Sequence, residues 1–140
     1  MPDPEEVAAV VSEWVVKAEN DLKCAAYILR LGKECPTDTA CFHAQQVVEK
    51  YLKALLTALQ IPFPKTHNLR KLVQILPASS QMSLSEEEQG KLTDYATVAR
   101  YPGWGEITLA EARRAVALAR RVRKHVRSLL PKQALRPRQR

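Results

Sequence analysis

The residues that could carry chemistry are concentrated in the segment CFHAQQVVEKYLKALL at 41–56. Four polar residues there have spacings of three, four and three positions: His43, Gln46, Lys50 and Lys53. In a helix they form one line, which we call the polar row. An imidazole, an amide and two ammonium groups in this arrangement could bind a phosphate or a nucleotide. The alternative interpretation is a solvated helix face with an ordinary Glu49–Lys53 ion pair, and the spacing alone leaves both open.

The segment PKTHNL carries two more candidates for an anion site, Lys65 and His67. Because Thr66 or Asn68 could cap a following helix, the imidazole of His67 could instead pack at the start of that helix. The sequence therefore offers a binding role and a structural role for this histidine.

A third candidate segment is ARYPG at 99–103. Pro102 favours an extended conformation for the residue before it, so the chain leaves the preceding helix there. Arg100 and Tyr101 could order this loop against the 41–56 segment, or Arg100 could be exposed to a ligand phosphate. We expect both residues near the ligand.

Other familiar chemistries are not indicated. The four glycines form no phosphate-binding loop of the GxxxxGK[ST] or GxGxxG type. Cys35, Cys41 and His43 lack a fourth ligand and match no common zinc spacing. We therefore expect no metal site and no cofactor.

The basic residues are concentrated at the carboxyl end of the chain. The net charge is +7, yet 11 basic residues and no acidic one follow Glu111. The first 112 residues contain 11 basic and 15 acidic groups and are mildly acidic. An anionic partner is therefore expected to contact the last helix and its tail, not the whole surface.

The elements that position these residues are predicted to be helices. Apolar residues recur every three or four positions, and no alternating strand pattern occurs. Predicted helices span about 4–31, 39–59, 68–76, 85–99 and 108–130. The expected fold is all-α, an up-and-down four-helix bundle with an additional short helix. We assign one domain to residues 1–130 and expect a disordered basic tail at 131–140.

The length of the apolar runs and the charge of the first residues predict where in the cell the protein lies. No apolar run approaches the roughly 20 residues that cross a bilayer, so no membrane association is expected. The chain begins MPDPEEV, acidic where a secretory signal is basic, so a cytoplasmic location is expected.

Four segments in this order resemble the HEPN domain family: KAENDLKCA at 17–25, FHAQQVVEKYLKALL at 42–56, PKTHNLRKLV at 64–73 and ARYPG at 99–103. The resemblance covers essentially the whole chain except the basic tail. It implies an up-and-down helical bundle that is usually a homodimer. It also implies a minimal nucleotidyltransferase partner, which in many members forms a toxin–antitoxin pair.

Several HEPN proteins are metal-independent RNases in which an Arg and a His with four to six residues between them, contributed by both subunits, line a dimer cleft. Arg120 and His125 fit this spacing, but nine of the last 28 residues are arginine, so the spacing arises easily by chance. In a continuous helix, residues five apart also point about 140° from each other. The family motif normally has a polar residue after the Arg and often a Tyr near the His, whereas this chain has Arg121 and no such Tyr.

The sequence thus favours a non-catalytic, homodimeric HEPN module that binds a nucleotide or phosphate, pairs with a minimal nucleotidyltransferase, or both. The first alternative is an RNase toxin that uses Arg120 and His125. The second is nonspecific binding of RNA or another nucleic acid through the basic last helix.

Overall fold

The computed structural model describes residues 2–136, which form helices and no β-strand. The α-helices of this part of the chain are α1 (Pro4–Leu29), α2 (Thr37–Ala58), α3 (Leu69–Ile75), α4 (Glu86–Ala96), α5 (Leu109–Leu129) and α6 (Lys132–Leu135). Single 3₁₀ turns lie at Gly32–Glu34, Ala78–Ser80 and Val98–Arg100. The prediction of an all-α bundle is confirmed. Within these residues, none of the helices has the length and apolarity needed to cross a membrane.

Capping side chains begin most of the helices where the sequence predicts. Asp3 accepts from the backbone N–H of Glu5 at the start of α1. Ser85 and Glu88 form the predicted capping box of α4, each side chain bonded to the other's backbone N–H. Such caps satisfy N–H groups that the first helical turn leaves without partners. The start of α2 is the exception, because Pro36 precedes it and the helix begins at Thr37.

The core is built around α2, which packs against α1, α3, α4 and α5. The fully buried Tyr51, Leu52, Leu55 and Leu56 project from its second half. Small alanines on the inner side of α5, such as Ala112 and Ala119, are also buried. Because α2 has neighbours on most sides, even its polar side chains lie largely inside the protein.

The predicted disordered tail from residue 131 is wrong for residues 131–136. Lys132–Leu135 form α6, a single turn that packs against α1. Ala134 on this turn is only 2% exposed, so a small apolar side chain anchors the segment to the bundle. The basic composition had suggested disorder, but burial of Ala134 opposes it. The rest of the predicted tail, 137–140, lies outside the described residues.

Candidate functional site

Two members of the polar row, His43 and Lys50, are joined to α1 through one carboxylate. His43 Nδ1 lies 2.7 Å from Asp21 Oδ1, and Lys50 Nζ lies 2.5 Å from Asp21 Oδ2. Because a carboxylate only accepts, the Nδ1–H of His43 donates and Nε2 remains available. Asp21 is buried, whereas His43 and Lys50 are half-buried. We call Asp21, His43 and Lys50 the α1–α2 triad.

The other two members of the polar row, Gln46 and Lys53, are connected to Glu49 directly or through Gln45. The Glu49 carboxylate accepts from Lys53 Nζ at 3.1 Å and from Gln45 Nε2 at 3.1 Å, and lies 2.7 Å from His67 Nδ1. The buried Gln46 in turn donates to Gln45 Oε1 at 2.6 Å. The Glu49–Lys53 pair predicted from sequence is therefore present.

The alternative interpretation of a solvated face does not hold around Glu49, because Gln46, Glu49 and Lys53 are buried. Sequence reasoning missed Asp21 as the partner of two members of the polar row. One indication was available: Asp21 lies in the stretch between the buried residues Ala18 and Ala25 on the inner side of α1. An acidic residue at such a position needs a charged or polar partner, because burial of an unpaired carboxylate is costly.

Arg100 contacts Phe42, the residue before His43, from a distant part of the chain. Its guanidinium carbon lies 4.2 Å from the ring centroid of Phe42, and the rings of Phe42 and His43 are 5.4 Å apart. The cation is thus held over an aromatic face next to His43. Tyr101 follows in an exposed position. The structure therefore places the ARYPG segment against α2, as one of the two sequence interpretations expected.

The remaining predicted residues lie elsewhere. His67 bonds Glu49, and the ring is largely exposed at the start of α3. Lys65 is exposed in the preceding loop. Asn68 caps α3 by accepting from the backbone N–H of Lys71. Gln46, Lys53 and His67 therefore belong to a separate cluster around Glu49, and within the described part of the chain Lys65 makes no hydrogen bond or ion pair with it.

A network around Glu19 ties α1 and α2 to α5 behind the site. Arg123 donates to both carboxylate oxygens of Glu19, with its shortest contact at 2.7 Å, and Tyr51 Oη donates to Glu19 at 2.8 Å. Arg127 donates to Tyr51 Oη at 3.2 Å. Burial raises the pKa of Glu19, but the hydrogen bonds from Arg123 and Tyr51 outweigh it and the pKa is lowered. Burial raises the pKa of Tyr51 to about 12.

Part of the basic surface that the sequence predicts on the last helix is occupied by ion pairs and hydrogen bonds. Arg123 and Arg127 are committed to Glu19 and Tyr51, and Arg121 pairs with Glu88 at 3.0 Å. The exposed cations that remain on α5 lie at Arg113, Arg114, Arg120 and Lys124. Three of the α5 arginines therefore stabilise the bundle.

Arg120 and His125 lie on α5, which is continuous from Leu109 to Leu129. Arg120 is exposed and His125 is half-buried. Five positions on a continuous helix separate two side chains by about 140°. Within one chain the pair therefore does not converge on a single phosphate.

A cavity of about 720 Å³ lies between α4 and α5 and contains none of the predicted site residues. It is crossed by the Glu88–Arg121 ion pair and by the hydrogen bond from Tyr95 Oη to Glu111 at 2.6 Å. Among residues 2–136, no group of three His, Cys, Asp or Glu side chains could hold a metal ion.

Comparison with known proteins decides the family. A family model of the HEPN domain matches residues 11–129. The chain belongs to the HEPN family. This HEPN protein is also similar to TT1696 from Thermus thermophilus, whose crystal structure superposes with a TM-score of 0.73 at 28% sequence identity. The similarity covers 87% of this chain and 99% of TT1696. A comparison with curated proteins finds no match.

Proposed function

We propose that this HEPN protein is a non-catalytic homodimeric module that binds the phosphate group of a nucleotide at His43, Lys50 and Arg100. We further propose that it pairs with a minimal nucleotidyltransferase in a toxin–antitoxin-like system. The observation that supports the binding site is the position of Arg100. Arg100 lies 58 positions after Phe42 in the chain, yet its guanidinium lies over the Phe42 ring, which contacts the ring of His43.

The triad has donors to spare for a phosphate. Lys50 uses one N–H for Asp21, and an ammonium group has three. Because its Nδ1–H is bonded to Asp21, His43 donates to a phosphate from Nε2 only as the imidazolium cation. Arg100 offers a planar guanidinium suited to paired phosphate oxygens. Lys50 and Arg100 against Asp21 give one net positive charge even with neutral His43. A phosphate would therefore meet a positive, half-buried site.

Isothermal titration calorimetry with ATP, ADP, GTP, GDP and pyrophosphate tests the site. Arg100→Ala should weaken binding about fivefold to tenfold, because it removes one charged hydrogen-bond donor pair. Arg113→Ala removes an exposed arginine from the outer side of α5 and is the matched control. Equal effects of the two variants, or no binding by the wild type, would contradict the proposed site.

The homodimer and the partner need separate measurements. Val10 and Val16 on α1 are exposed apolar residues, which favours a surface covered by another chain. Light scattering with size-exclusion chromatography should give the mass of a dimer. Co-purification with a minimal nucleotidyltransferase encoded beside this protein should yield a complex, and its failure would count against the pairing.

The two alternatives predict different results. An RNase toxin would cleave RNA without added metal, and His125→Ala would abolish the cleavage. We expect none, because Arg120 and His125 diverge on α5. Nonspecific nucleic-acid binding would use the exposed cations of α5 and weaken steeply with salt. Charge reversal at Arg120 and Lys124 would remove it and leave nucleotide binding intact.

A further inference from the structure

An exposed aromatic ring directly follows the arginine of the proposed site. Tyr101 is 71% exposed, so its ring is accessible to a ligand. The backbone around it is tightly specified. Residues 98–100 form a 3₁₀ turn, and Gly103 and Gly105 adopt φ values of 95° and 104° that disfavour other residues. The 3₁₀ turn and the two glycines therefore fix the backbone conformation on either side of Tyr101.

A cavity of about 490 Å³ opens at this loop. It is an open surface depression bordered by one short segment of the chain. It is lined by residues from the end of α4 and the turn that follows: Ala96, Thr97, Val98, Arg100 and Tyr101. An aromatic face, apolar side chains and one guanidinium thus border the same space.

A cation and an aromatic ring on adjacent residues offer contacts for the two parts of a nucleoside phosphate. Arg100 lies over Phe42, whose ring contacts that of His43 in the proposed phosphate site. Tyr101 follows it with a ring that has no partner ring among the described residues. Every nucleobase has a π-face that stacks on such a ring, and an arginine beside it adds attraction.

We propose that Tyr101 stacks on the base of a nucleoside phosphate whose phosphate group is bound by Arg100, His43 and Lys50. The ligand is then a nucleoside phosphate, and inorganic phosphate and pyrophosphate are only partial ligands. This inference rests on the proposed function. It adds a contact to the base, which phosphate binding alone does not require.

The test compares ADP with pyrophosphate by calorimetry on the full-length protein. The wild type should bind ADP about tenfold more tightly than pyrophosphate, in line with the usual effect of one stacked base. Tyr101→Ala should remove this difference and leave the pyrophosphate affinity unchanged within about twofold. Tyr101→Phe should keep the ADP affinity, because the ring supplies the contact.

Tyr27 provides a matched control in the same chain. It is 66% exposed and lies beside Arg30, whose guanidinium carbon is 5.1 Å from the ring centroid. Tyr27→Ala therefore removes a comparable tyrosine next to an arginine, in the last turn of α1. It should leave both affinities unchanged.

The possible failures are distinguishable. If pyrophosphate binds as tightly as ADP, stacking is refuted and the phosphate site stands. If neither binds, the proposed function fails and the stacking with it. If Tyr101→Ala converts a dimer into a monomer while ADP binding is unchanged, the ring belongs to a protein interface and this inference is overturned.

Discussion

Replacement of Asp21 by asparagine should change stability and phosphate binding in opposite directions. Asp21 accepts from both His43 and Lys50. Asp21→Asn keeps the size of the side chain and one accepting oxygen, but removes the negative charge between two basic groups. The fold then loses a charge pair, whereas an anionic ligand gains a more positive site.

The size of the stability loss follows from burial. Removal of one partner from a fully buried ion pair costs about 3–5 kcal/mol. The Asp21 side chain is 11% exposed, but His43 and Lys50 are 23% and 21% exposed, so water compensates part of this loss. We expect the free energy of unfolding to fall by about 2 kcal/mol. For a domain of this size the melting temperature should fall by roughly 6–8 °C.

The gain in binding follows from Coulomb's law. A unit charge about 5 Å from a phosphate contributes about 1–3 kcal/mol at an effective dielectric constant between 80 and 20. Without the Asp21 charge, the affinity for pyrophosphate should rise about tenfold. Urea unfolding and calorimetry on the same samples measure the two effects.

Two further variants make this test decisive. Asp94→Asn removes an equal charge from a half-buried position on α4 and should change neither quantity appreciably. In a Lys50→Met background, Asp21→Asn should cost less stability, because part of the pairing is already lost. A variant as stable as the wild type would refute the structural role of the triad. A destabilised variant with unchanged pyrophosphate affinity would refute the binding site.

Three other predictions concern the rest of the bundle. Arg123→Ala should lower the free energy of unfolding in urea by about 1.5 kcal/mol, because Arg123 makes several charged hydrogen bonds to Glu19. Arg121→Ala, which removes one exposed ion pair, should lower it by at most about 0.5 kcal/mol. The lowered pKa of Glu19 stabilises the fold above its unfolded value near 4.5, and this contribution is lost as the pH falls through the folded value. Stability of Glu19→Gln should therefore decline less with acid than that of the wild type. Exposed Cys24 should react with Ellman's reagent in the native protein. Cys41 is buried and its pKa is raised to about 12, so it should react only after unfolding. Cys41→Ser should therefore lower the number of reactive thiols only in the denatured protein.

The helix boundaries were largely predictable because their causes are local. Ser85 and Glu88 are three residues apart and cap α4 by direct hydrogen bonds. Thr108 accepts from the backbone N–H of Glu111 at the start of α5. The partner of the Glu111 carboxylate is instead Tyr95 on α4. A motif within one turn thus specified the cap, but not the second contact made by the same residue.

The sequence by itself determined the helical periodicity, most helix ends, the family resemblance and the alignment of the polar row on α2. Only the tertiary structure decided which side chains from other helices contact the polar row. Asp21 lies 22 and 29 positions from His43 and Lys50, and Arg100 lies still farther from Phe42. Such contacts depend on how α1 and the 96–106 segment pack against α2, which the spacing within one helix does not encode. Burial of part of this helix face favours paired charges over the solvated alternative, because a charge inside a bundle is costly without an opposite charge.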